Sequence, residues 1–101
     1  MSVKALVLAA RDNVATLTAP AAAGDKVTCL GERQLEVTCL QDIRIWHKVA
    51  LEDLSEGALV YKYGEVIGKT KTGIAAGGVV DHENIYSIPR DYASELTGGA
   101  A

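Results

Sequence analysis

Three seven-residue stretches, AAAGDKV (21–27), LSEGALV (54–60) and IAAGGVV (74–80), share one form. Each has a small or apolar residue, two spacers, glycine, two spacers and valine. Glycine at the centre permits a turn at positive φ, and the valine predicts the start of a strand. The spacing between copies is irregular, so this is no solenoid. It is a repeated way of entering a strand, and it commits the chain to short strands joined by tight corners.

The remaining sequence agrees. SVKALVLAA predicts an opening strand, and DNVATLTA alternates, with Val14 and Leu17 as core contacts. VTCL occurs twice, at 27–30 and 37–40, around GERQ, which predicts a hairpin. A turn at Glu32 and Arg33 sets Cys29 opposite about Glu36, so the register opposes a Cys29–Cys39 disulfide. The cysteines lack CxxC spacing and read as small strand residues. QLEVTCLQDIRI has the period of a half-buried strand, with Leu35, Val37 and Cys39 on one face. LEDLSEG predicts one helical turn ended by Gly57. IPRDYASELTGG predicts a short helix after Pro89, ahead of a frayed end. The fold expected is mainly β: twisted hairpins, with at most short helical turns.

The chain has 101 residues, enough for one domain with a modest core and little room for a complete catalytic apparatus. An enzyme site here is expected to be shared with another chain. Apolar residues make up 49%, which argues for a folded domain. With one tryptophan, four tyrosines and no phenylalanine, the core must come from Val, Leu, Ile and Ala. A net charge of −3 without a basic run argues against nucleic acid. The N-terminal apolar run is too short for a signal peptide or a membrane span, so a cytoplasmic protein is expected.

Three places hold residues with chemical potential. His47 and Lys48 stand side by side at a strand end or tight turn, where a general base and a carboxylate-binding ammonium would be useful. The bland reading packs His47 with Trp46 at a sheet edge and leaves Lys48 in solvent. In YKYGEVIG, a strand puts Tyr61 and Tyr63 on one face and Lys62 on the other, with Gly64 turning the chain and Val66 and Ile67 returning to the core. Lys62 then either meets an anion or is a solvated charge. In DHEN, a strand puts Asp81 and Glu83 on one face, with His82 opposite. Two such carboxylates bind a divalent cation, act as an acid–base pair or guard an edge strand, and Asn84 caps the loop. There is no phosphate loop, GxSxG or HExxH.

The run HKVALEDLSEGALVYKYGEVIGKTKTGIAAGGVVDHENI resembles the SAF domain of altronate and galactarate dehydratases, which also occurs as the small subunit of related lyases such as sulfolactate sulfo-lyase. The matching motifs are His47-Lys48-Val49-Ala50-Leu51, Leu54-Ser55-Glu56-Gly57, Val60-Tyr61-Lys62-Tyr63-Gly64, Ile67-Gly68 and Ile74-Ala75-Ala76-Gly77, and the opening Asp12-Asn13-Val14-Ala15 fits more loosely. Two departures stand out. Trp46 replaces the family's glycine before His-Lys, and Asp81 and Glu83 replace the histidines of its V-H-x-H-N motif.

The resemblance implies a β-clip fold over 1–88 and a tail at 89–101. It implies the small subunit of a two-component hydro-lyase acting on a sugar acid or related hydroxy acid, completed by a large dehydratase-like subunit. His47 and Lys48 are then the catalytic candidates, and Lys62, Tyr63 and Asn84 the substrate contacts. Asp81 and Glu83 fall near a divalent metal (iron, manganese or magnesium) shared with the large subunit. The alternative is a non-catalytic SAF module that binds a sugar acid or a protein partner. A small structural protein that self-associates through strand edges is the third reading.

Overall fold

The computed structural model describes residues 2–87, and these form nine strands and no helix. They are β1 (Ser2–Val7), β2 (Val14–Leu17), β3 (Lys26–Gly31), β4 (Leu35–Thr38), β5 (Lys48–Ala50), β6 (Leu59–Lys62), β7 (Glu65–Thr70), β8 (Val79–Val80) and β9 (Ile85–Ser87). One sheet has the order β4-β3-β1-β2-β5-β8, and a second has the order β6-β7-β9. The pairs are antiparallel except β1 with β3. This is the expected mainly β, SAF-like architecture. The tail expected at 89–101, with its short helix, lies outside the described residues.

Among the described residues the corner motif occurs four times, not three. The fourth copy, IRIWHKV at 43–49, is hidden in the sequence because tryptophan occupies the glycine position. The first residues of the copies, Ala21, Ile43, Leu54 and Ile74, are all buried, as are the last, Val27, Val49, Val60 and Val80. The fourth residues all have positive φ: Gly24 at 90°, Trp46 at 70°, Gly57 at 80° and Gly77 at 88°. Each corner closes with the same backbone hydrogen bond, donated by the fifth residue to the carbonyl of the second.

Each corner also docks on one buried residue. The N–H of Trp46 donates to the Leu17 carbonyl, and the N–H of Leu17 donates to the His47 carbonyl. Cys39, Thr70 and Ala50 play the part of Leu17 for the corners centred on Gly24, Gly57 and Gly77. The corners then pair. Ala21 bridges Ile43, and Leu54 bridges Ile74. Asp42 accepts the N–H of Ala23 in the first pair, and Asp53 accepts that of Ala76 in the second. The segment expected to make a helical turn before Gly57 is therefore a corner; Leu54 is held in a bridge, and its buried side chain leaves no helical alternative.

The two pairs curl the larger sheet. Its inner face, including Val3, Ala5, Val7, Leu17, Val27, Cys29 and Val49, forms one core. The opposite face of β2, β5 and β8 packs Val14, Ala50 and Val80 with Val60 and Ile85 of the smaller sheet. At the far end, Leu40 donates to the Gly77 carbonyl, joining the end of β4 to the corner before β8. A β-carbon on Gly77 would overlap the carbonyl oxygen of Thr38.

The β1–β2 loop holds the two sheets together. Asp12 is buried, and its carboxylate accepts the N–H groups of Ala9, Tyr63 and Gly64 at 3.2, 2.9 and 2.8 Å. Asn13 accepts from Tyr61 N–H at 2.8 Å and donates to the Leu59 carbonyl at 2.9 Å. Arg11 adds hydrogen bonds to the Gly64 carbonyl. These contacts fix the β6–β7 hairpin, whose two-residue turn has positive φ at both Tyr63 and Gly64, the preferred form for a short hairpin. Tyr63 therefore belongs to the turn and does not share a strand face with Tyr61. Val66 and Ile67 are half-buried, with Ile67 against the second core.

The β3–β4 hairpin forms as expected, one residue out of the expected register: Cys29 faces Leu35, and Thr28 faces Glu36. Both cysteines are free and buried. Burial pushes the Cys29 thiol up to about 11, against a partial opposing effect of Arg33, and raises Cys39 too. Both thiols are thus neutral and shielded at pH 7, and thiol-reagent labelling of the native chain will occur only as fast as the fold opens. Asp12→Ala strands the turn amides of Tyr63 and Gly64, and chemical denaturation will show a loss of about 2–4 kcal/mol. Gly77→Ala combines strain with the Thr38 overlap and will lose a similar amount, about 2–4 kcal/mol.

Candidate active site

The second corner opens into a cleft. Lys48 begins β5, and the β5–β8 register sets it beside Val80. Trp46, His47 and Lys48 line one side of a cavity of about 350 Å³, and Val80, Asp81 and His82 line the other. Ile85 and Ser87 of β9 complete it. That volume is at the low end of the range for small-molecule sites, about 300–1,000 Å³.

The electrostatics follow from where β5 lies. Lys48 shares a sheet face with Ala50, and that face is packed between the two sheets. Lys48 stands at its edge, partly buried. Burial lowers its pKa from the usual 10.5, the charge of Lys62 lowers it further, and Asp81 works the other way. Thr16 lies opposite Lys48 in the β2–β5 register, and its hydroxyl is buried without a hydrogen-bond partner.

Asp81 and Glu83 do not share a strand face. Residues 81–84 form a turn, because Asp81 and Asn84 bond to each other's backbone surroundings. Asn84 accepts the Asp81 N–H at 2.9 Å and donates to the Val79 carbonyl at 2.7 Å. Asp81 accepts the Glu83 N–H at 2.9 Å. The turn brings His82 into the cleft lining beside Asp81, and Glu83 is exposed and not part of that lining. Among the described residues, no three His, Cys, Asp or Glu side chains gather to hold a metal ion. With Glu83 outside the lining and Asp81 its one carboxylate, these residues do not fit a complete metal centre.

His47, Lys48 and Asp81 thus meet in one cleft. Lys62, Tyr63 and Asn84 are not in its lining. Lys62 acts on it through its charge, and its ammonium sits 4.6 Å from the centroid of the Tyr63 ring. Asn84 shapes the turn that carries Asp81 and His82. Sequence reasoning missed His82 and Trp46 as lining residues. The register of the corner motif was the signal for Trp46, since IRIWHKV keeps its apolar ends and loses only its glycine.

The fold is that of a SAF-like β domain with a small polar cleft between its two sheets. The chain belongs to the altronate/galactarate dehydratase SAF domain family, whose sequence profile matches residues 3–88. It is 43% identical over 75 residues to altronate dehydratase from Escherichia coli (strain K12). That alignment takes in 74% of this chain and 14% of the enzyme, so the chain corresponds to a small part of that relative.

Two predictions test the site's energetics. The lowered pKa means that folding disfavours the Lys48 ammonium. The penalty is full below the folded-state pKa and vanishes as pH rises above the unfolded value of 10.5. Urea unfolding of the wild type will therefore show stability rising with pH across that window, and Lys48→Met will flatten the rise. Trp46→Gly removes a side chain from a left-handed position, and thermal unfolding will show a gain of about 1 kcal/mol.

Proposed function

We propose that this chain is the small component of a two-chain hydro-lyase that removes water from a sugar acid or related hydroxy acid. The observation that carries the reading is the convergence of His47, Lys48, Asp81 and His82 on one cleft, in a chain of this family. The relative's name supplies the reaction class, dehydration of altronate.

In the reaction a base takes the proton α to the carboxylate, the β-hydroxyl departs as water, and the resulting enol becomes a 2-keto acid. Lys48 holds the substrate carboxylate, with Lys62 reinforcing the field. His47 relays the proton, since an imidazole can both accept and donate one. The large dehydratase-like chain closes the cleft, and a divalent metal held there would supply Lewis-acid assistance to the elimination. The small volume of this cleft supports a site completed by a second chain.

The test is co-purification with a large dehydratase-like chain from the native host, followed by assay of 2-keto acid release from altronate and galactarate with Mg²⁺, Mn²⁺ or Fe²⁺. Turnover by the pair is expected, with His47→Ala lowering kcat by about 100-fold or more and Lys48→Met acting mainly on KM. Full activity of His47→Ala would remove its role. Binding of sugar acid without turnover would establish the second reading, a non-catalytic SAF module, which the replacement of the family's histidine pair by Asp81 and Glu83 favours.

A further inference from the structure

Trp46 is the residue on this cleft that the fold does not need. In the other three corners the same position is Gly24, Gly57 or Gly77, and the backbone there is left-handed in all four. The fold therefore asks for glycine, and a bulky residue at φ 70° carries strain. Three hydrogen bonds hold Trp46 in that state: its own N–H to Leu17, Leu17 to the His47 carbonyl, and His47 N–H to Arg44. The indole gains little burial in return, since Trp46 is 66% exposed. A strained backbone carrying an exposed aromatic, next to His47 and Lys48 and lining the same cleft, is placed for a ligand.

We infer that Trp46 is a specificity-determining residue, the apolar wall of a cleft that takes a polyhydroxy carboxylate. The chemistry of the lining fixes the ligand class. Lys48 attracts a carboxylate, Asp81 and the two histidines offer hydrogen bonds to hydroxyls, and the indole face covers the C–H groups of the carbon chain. A two-carbon acid offers the indole almost no carbon chain to cover. The inference rests on the cleft being the ligand site of the proposed function, and it adds what selects the longer acid.

Trp46 is the sole tryptophan, so emission from the full chain reports on this wall directly. Galactarate and glycolate are titrated into wild type, Trp46→Gly and Lys48→Met, with calorimetry as the readout common to all three. Galactarate is expected to change wild-type emission saturably. Trp46→Gly is expected to weaken galactarate about tenfold and glycolate less than twofold, whereas Lys48→Met weakens both. Equal galactarate affinity in wild type and Trp46→Gly overturns the role of Trp46 and leaves the cleft intact. A complete lack of binding to the wild type overturns the inference. Binding as expected, in a chain whose complex with the large subunit releases no 2-keto acid, upholds Trp46 and removes the dehydratase reading instead.

Discussion

Everything in this fold turns on a backbone constraint. Four times the chain must pass through a left-handed residue, lay the next carbonyl on a buried partner and enter a strand. The partners Leu17, Cys39, Ala50 and Thr70 are in the core because each receives and returns a hydrogen bond to a corner. The constraint curls the larger sheet, since the corners join in pairs through Ala21 with Ile43 and Leu54 with Ile74. It also sets the start of β5, which is where the cleft lies.

The smaller sheet depends on a second device of a different kind. A single buried carboxylate, Asp12, gathers amides from its own loop and from the Tyr63–Gly64 turn, while Asn13 completes the edge of β6. Side-chain hydrogen bonds thus do between the sheets what backbone ladders do within them. Their effect on the site is indirect: they hold the smaller sheet over the face that Lys48 borders, and so they help to desolvate that ammonium.

Much of this was legible in the sequence because corners and strands have local signatures. The Gly-x-x-Val pattern located three corners, alternation placed Val37 and Cys39 inward, and Val14 and Leu17 are core residues as expected, on opposite faces of β2. The misses share a physical cause. The fourth corner was hidden because tertiary hydrogen bonds hold Trp46 where propensity asks for glycine. Residues 81–84 read as a strand because alternation cannot see that Asn84 bonds back to Asp81. His47 and Lys48 were found from residue type and family resemblance. Their meeting with His82 was not, because it depends on the β5–β8 pairing of segments some thirty residues apart.

The four corners also separate what the fold fixes from what it leaves open. In each seven-residue unit the ends are buried, and at Gly24, Trp46 and Gly57 the central residue is exposed. The Gly77 corner is enclosed by the end of β4. A corner is thus a cassette: its terminal residues belong to the scaffold, while the two residues after its left-handed centre stay out of the core in three places around the molecule. The Trp46-His47-Lys48 triplet occupies one such place. The same scaffold presents Gly24-Asp25-Lys26 and Gly57-Ala58-Leu59 in equivalent backbone settings, so binding chemistry can change at one corner without renegotiating the fold, and a symmetric frame can carry an asymmetric site.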